Sequence, residues 1–282
     1  MSKRIKIPKR LNPIIAPTRF CYGLENQYHV YFTGLVKKHE ERANMLFKTH
    51  VVPAYEATYL KQDSAGDNND PDGDRLEQAL KYFDDMISYG VNAYDIEAWV
   101  TKFITALDRF SYSNCKVQFA PQGINPIDSD IFLRQYIQAK IAENVARIVN
   151  STTQYDEQIE SVIYNGVTKG TSTNGMAKQI AEVDERFESH ANLIARDQTG
   201  SMLGQINAHR QTEAGASYYI WQSMEDARVR PAHQELDQTL QKYGDPDGGD
   251  GGQLPGEPIN CRCVALPVFP DELKQYESDG LI

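Results

Sequence analysis

The sequence predicts a mainly α-helical protein: an extended helical N-terminal body followed by a small α+β module at the C-terminus. Three observations carry that expectation. Apolar residues recur at helical spacing through most of the chain up to Gly215. Beyond it, Tyr218-Tyr219-Ile220-Trp221 and Cys263-Val264-Ala265-Leu266-Pro267-Val268 are short runs of strand-forming residues. Between those runs lies a long polar connection rich in glycine and aspartate, of the kind that in a compact domain either carries function or is simply mobile.

Residues 1–22 read as a basic, extended arm. Lys3, Arg4, Lys6, Lys9 and Arg10 crowd the first ten residues with no acid among them, and Pro8, Pro13 and Pro17 disfavour compact folding. The arm is a candidate contact for DNA or an acidic partner; the alternative is a solvated tail ordered only on a partner. Residues 23–154 form the helical body. A helix is expected from Asn26 to about Tyr59, bent or interrupted at Pro53, which cannot donate a helical hydrogen bond. A polar, turn-forming loop follows near 62–74. Its aspartates are spaced somewhat like a calcium loop, but Asp74 stands where a glutamate is needed and Asn68 where a glycine is.

Further helices are expected over Arg75–Tyr89, Tyr94–Phe110, Asp128–Asn150, Tyr155–Lys169, Met176–Phe187 and Ala191–Gly215, with a turn and helix cap at Gly170-Thr171-Ser172-Thr173-Asn174. Residues 155–270 are read as the C-terminal module and 271–282 as a tail.

Of the 282 residues 40% are hydrophobic and 24% charged, ordinary for a globular protein, and the net charge of −10 opposes nucleic-acid binding through bulk electrostatics. No apolar stretch approaches the roughly 18 residues a bilayer span needs, and the start lacks the apolar run of a secretion signal. The expectation is a soluble protein without a membrane role. Four cysteines are too few for a disulfide framework at this length; Cys21 and Cys115 sit alone, and only Cys261 and Cys263 make a pattern.

The chemistry-bearing residues collect in two islands, Asp226-Ala227-Arg228-Val229-Arg230-Pro231-Ala232-His233 and Pro255 through Cys263. His233, Cys261 and Cys263 are soft ligands for zinc, with Asp226 as a candidate oxygen ligand. Alternatively His233 could activate Cys261 or Cys263 as the nucleophile of a hydrolase or transferase. The reading without chemistry is a structural polar network of Arg196, Asp226, Arg228, Arg230, His233 and Arg262 that holds a loop-rich module together. Tyr218, Tyr219 and Trp221 could stack on bases but fit the core of a small sheet better.

These islands, preceded by Ala195-Arg196-Asp197-Gln198 and Asn207-Ala208-His209-Arg210, resemble in order and spacing the phage Mu F-like minor head (head-morphogenesis) proteins, over about Ile159 to Val268. One departure stands out: many members have Asp-Gly shortly after the histidine, whereas this chain has Asp237-Gln238, and glutamine does not reach positive φ as cheaply as glycine. The resemblance implies no enzyme but a minor capsid protein in a tailed-phage head interior. It would be associated with the portal and major capsid protein and, in some phages, ejected with the double-stranded DNA. For such a docking role, Tyr28 and Phe32 beside the arm are candidate partner anchors.

Overall fold

The computed structural model describes residues 5–62, 71–89 and 92–282. It is mainly helical, with α1 (Tyr22–Leu46), α2 (Val52–Gln62), α3 (Pro71–Ile87), α4 (Ala93–Phe119), α5 (Ile131–Lys169), α6 (Thr173–Glu213), α7 (Pro231–Leu236) and α8 (Pro270–Ser278). The strands β1 (Tyr218–Gln222), β2 (Leu240–Lys242) and β3 (Val264–Val268) form one antiparallel sheet in the order β2-β1-β3. A mainly α protein with a small C-terminal α+β module is therefore what the chain forms.

Several elements differ from expectation for identifiable reasons. α5 and α6 each run unbroken where two helices were expected, because the polar interruptions (Ser151 to Gln154, and Glu188 to His190) contain neither glycine nor proline. Thr152 satisfies its hydroxyl on the carbonyl of Val149 one turn back, at 2.9 Å, and so sits inside a helix at no polar cost. Pro53 does not end its helix either. The helix widens into a π turn at Phe47–Val51, which absorbs the missing donor. α3 starts at Pro71, inside the polar stretch expected to be a loop; residues 63–70 of that stretch lie outside the described residues. The expected turn at Gly170 is present: Gly170 has φ 66°, and Ser172 Oγ accepts from the N–H of Gly175 at 3.2 Å.

The chain forms two compact units that interleave along the sequence rather than following one another. One comprises Met1–His29, Ala98–Asn144 and Leu193–Ile282; the other comprises Val30–Glu97 and Val145–Asn192. The second is all helix around Phe47, Val51, Phe83, Tyr155, Ile159, Ile163 and Ile180. It buries an ion-pairing couple, His39 Nδ1 to Asp156 Oδ1 at 2.8 Å, and Tyr155 donates its hydroxyl to Asp184 at 2.7 Å. In the same unit burial pushes the Glu40 carboxyl up to about 7, with Asp184 and Glu188 adding repulsion and Lys37 opposing it.

The first unit contains the sheet, whose two faces bury different clusters as the period of two requires. Ile220, Leu266 and Val268 pack with Ile7 and Tyr276 on one face; Tyr219, Trp221, Cys263 and Ala265 pack with Leu236 and Cys261 on the other. Two expectations are corrected here. The basic arm has a core: Ile7 is buried, its N–H donates to the carbonyl of Gln238 at 2.8 Å, and the carbonyl of Ile5 accepts from Leu240 at 2.9 Å, so residues 5–7 cover the open edge of β2. The expected tail is largely α8, whose buried Tyr276 donates its hydroxyl to Leu11 O at 2.8 Å.

A third correction concerns Gln238, which adopts φ 60° although it is not glycine. The N–H of Thr239 closes the turn on the carbonyl of Leu236 at 2.9 Å while the N–H of Gln238 donates to the carbonyl of Trp221 on β1 at 2.8 Å, and these bonds together hold the L residue in a left-handed conformation.

Three outcomes are expected. Ile7→Ala should lower unfolding free energy by about 2–5 kcal/mol; an unchanged urea midpoint would show that the arm is not part of the core. Gln238→Gly should leave stability unchanged or raise it by about 1 kcal/mol, and a clear loss of melting temperature would contradict the strain. For Glu40 the folded carboxyl binds a proton that the unfolded chain, at about 4.5, has already released. Stability therefore falls as pH rises from that value through about 7. Glu40→Gln should melt progressively higher than wild type across that window and keep a constant lead above it; a lead independent of pH would refute the assignment.

Candidate functional site

The site is built on the sheet face that carries Trp221. α7 begins with Pro231 at its first position, pre-set for helix, and turns His233 inward until it is 2% exposed. The imidazole packs against the Trp221 indole, ring centres 5.1 Å apart. Its Nε2 lies 3.0 Å from Asp250 Oδ2. Its Nδ1 lies 3.5 Å from Cys261 Sγ and 3.5 Å from Cys263 Sγ. Both cysteines are buried, and the N–H of Cys263 donates to Cys261 Sγ at 3.4 Å.

The polar connection delivers Asp250. Gly249 turns there with φ 56°, and a Cβ on it would stand 2.4 Å from the carbonyl oxygen of Gln253, so the turn admits only glycine. Residues 255–261 in turn lie directly on α6. A Cβ on Gly200 would meet the carbonyl oxygens of Cys261 and Gly256 at 2.8 and 2.9 Å, and one on Gly204 that of Pro255 at 2.5 Å. Glu257 fastens this loop, accepting from the N–H of Leu254 at 2.6 Å and from the Gln205 side chain.

The polar side chains around this loop make four separate grips on consecutive residues. Arg230 donates to the carbonyl of Ile259. Arg196 donates to Asn260 Oδ1 at 2.7 Å and to Glu25 at 2.9 Å. His233 faces Cys261 and Cys263, and Arg262 Nη2 donates to both carboxylate oxygens of Asp226 at 3.0 and 2.7 Å. Arg228 sits at the edge, its guanidinium exposed and 3.7 Å from Asp226. Every residue from Ile259 to Cys263 is thus held by, or itself makes, one of these contacts.

The electrostatics follow from the geometry. The Arg262 guanidinium holds Asp226 below the usual carboxylate range, with the Arg228 N–H and both arginine charges adding. Cys261 is driven toward the thiolate, first because the Cys263 thiol donates to it, with burial opposing and the contact to His233 and the Cys263 N–H adding; Cys263 is correspondingly held as the thiol. For His233 burial acts downward, but hydrogen bonds to Cys261 and Asp250 outweigh it and raise the imidazole.

Asp226 does not join the His233–Cys261–Cys263 cluster: the three ligand atoms of that cluster lie within 4.8 Å of one another, whereas the Asp226 carboxylate is engaged by arginine. Asp250, which sequence reasoning left inside a turn-forming stretch, takes the place beside His233; its one sequence signal was an aspartate flanked by glycines downstream of the histidine. The arrangement can hold a soft metal ion or present a thiolate–imidazole pair. Sulfurs only 3% and 4% exposed suit holding better than attack on a substrate.

Elsewhere the candidate residues scatter. Lys3 and Arg4 lie outside the described residues; Lys6, Lys9 and Arg10 are exposed along the arm, Lys9 paired with Glu225. Tyr28 and Phe32, expected as partner anchors, are buried; Tyr28 packs edge-on to Trp99 and Phe103 and donates to Asn144 at 2.8 Å, which makes these rings core. Tyr219 and Trp221 are buried in the sheet and not available to bases.

Arg210 carried no signal of its fate beyond its place on an amphipathic helix. It is fully buried, with its guanidinium bonded to the carbonyls of Ile127 and Asp108 at 3.1 Å each and to the Asp108 carboxylate at 2.6 Å.

Residues 157–266 match the family described as Phage Mu protein F like protein. An uncharacterised protein of Haemophilus influenzae (strain Rd) is 30% identical over 162 residues, 55% of this chain. The chain spans only 36% of that relative's length. No solved structure matches the chain. The matched span opens within α5, closes within β3 and takes in the whole histidine–cysteine cluster with its arginine grips, so it is this part of the chain that is similar to the phage Mu F-like family.

Proposed function

We propose that the chain is a minor capsid protein of a tailed phage, acting in head morphogenesis from the head interior in association with the portal. The observation that carries this reading is the Mu F-like span itself, which contains a loop, Ile259 to Cys263, on which polar side chains converge. Supporting it, the module is organised for rigidity. Its loop is held at successive residues by arginine, histidine and carboxylate partners, as suits a piece that docks between larger subunits. The portal protein and major capsid protein are the partners this role requires. A net charge of −10 favours contact with protein over contact with packaged double-stranded DNA. The rival DNA-contacting role rested on the arm, and that support weakens now that the arm completes the sheet edge and Lys9 is paired with Glu225. Among the described residues no helix is long and apolar enough to cross a membrane.

Quantitative mass spectrometry of gradient-purified heads should find this chain at far fewer copies than the major capsid protein and cross-linked to the portal. Its absence from heads, together with no binding to purified portal rings, would overturn the assignment.

A further inference from the structure

A docking module has no need to place one buried imidazole nitrogen at the same distance from two buried sulfurs. His233 Nδ1 is 3.5 Å from Cys261 Sγ and 3.5 Å from Cys263 Sγ. A neutral imidazole nitrogen offers either one lone pair or one proton, so it can satisfy one sulfur well and not two. A cation between the three atoms satisfies all of them. With Zn–S near 2.3 Å and Zn–N near 2.0–2.1 Å, tetrahedral angles put the nitrogen about 3.5–3.6 Å from each sulfur, which is the spacing found here.

We propose that His233 Nδ1, Cys261 Sγ and Cys263 Sγ bind a zinc ion, with the fourth position taken by water from the small pocket that these residues line together with Met224, Arg230 and Asn260.

The surroundings are those of a coordination site. Asp250 accepts from Nε2 at 3.0 Å, which fixes the tautomer with the Nδ1 lone pair turned to the sulfurs and raises its basicity; carboxylate-oriented histidines are the common second layer of zinc sites. The Cys263 N–H donates to Cys261 Sγ, a contact that favours anionic sulfur. Trp221 supplies an independent sign. Its ring is fully buried in one cluster with Cys261 and Cys263, yet Nε1 has no hydrogen-bond partner. A thiolate held by a metal gives this orphaned donor an acceptor. Binding releases the thiol protons to solvent and ties α7 to the loop before β3, so the metal would stabilise the module as well as occupy it.

The full chain, purified without chelator or metal-affinity tag, should carry about one zinc by elemental mass spectrometry. Cobalt(II) added to the reduced, zinc-free chain should produce thiolate charge-transfer absorption in the near ultraviolet. Cys261→Ser, Cys263→Ser and His233→Ala should each lose the metal, while Cys21→Ala keeps it. Should those variants not fold, Asp250→Asn leaves the ligands in place and should weaken zinc binding about 10–100-fold in competition with a chromophoric chelator.

Three results would overturn the proposal. One is a wild-type chain that neither carries zinc nor takes it up when reduced. Another is an intact mass short of two hydrogens, showing a Cys261–Cys263 disulfide. The third is rapid alkylation of one of these thiols in protein never exposed to chelator, which would point to a nucleophile. None of these outcomes depends on where the chain resides in a particle.

Discussion

The contact on which the C-terminal module depends is the close approach of a loop to one stripe of α6. Arg196, Gly200, Gly204, Asn207 and Gln211 follow one another at intervals of four, four, three and four residues, and so share a face of the helix. Arg196 meets Asn260, Gly200 and Gly204 admit the backbone of Pro255 to Cys261, and Gln211 reaches Ala265 O at 3.4 Å. Asn207 accepts from Ser111 at 2.6 Å, joining α4 to the same stripe. Carbonyls that would lie under 3 Å from an added methyl leave no room for any side chain at the two glycines. The loop's height over the helix sets where Cys261 and Cys263 sit, and with them everything that faces His233.

Charge is handled differently in the two units. Arg210 in the first is stripped of water but bonded through three of its nitrogens, so its desolvation is offset by well-placed acceptors. The second unit tolerates a less settled arrangement: Glu40 is half-buried among other acids, and one of its oxygens finds no partner. A buried acid of that kind makes local stability respond to mild acidification, whereas the Arg262–Asp226 pair in the first unit resists it.

Much of this was legible in the sequence. Helical periodicity located the long helices, and the two strand-like runs became β1 and β3. His233, Cys261 and Cys263, whose side chains lie together, were recognisable as a set from residue type alone. What escaped was long-range or conformational. β2 is three residues long and too short to show alternation, and α7 has six residues, fewer than two turns of apolar pattern. The arm read as unfolded because five cations and three prolines mask the apolar residues that dock it, Ile7 with Ile5, Leu11 and Ile15 beside it. Tyr28 and Phe32 read as an interface because aromatic clustering is the same in a core as on an anchor; only burial separates them. Gln238 reached a left-handed turn by tertiary constraint, which no residue preference reveals.

The strand-like pairing of residues 5–7 with the edge of β2 also constrains how the molecule comes into being. Tyr276 reaches back to Leu11 across 265 positions. During synthesis the arm leaves the ribosome long before its binding groove exists, and at ordinary translation rates of roughly 5–20 residues per second it waits tens of seconds for it. Closing so large a loop comes late, after the helices between have formed from local contacts. Until then Ile7 and the cations around it are exposed, and the β2 edge, once made, is briefly free to pair with another chain. The sealing of this sheet edge is therefore a late step in folding, and crowded synthesis of many copies is the condition under which that step is most exposed to error.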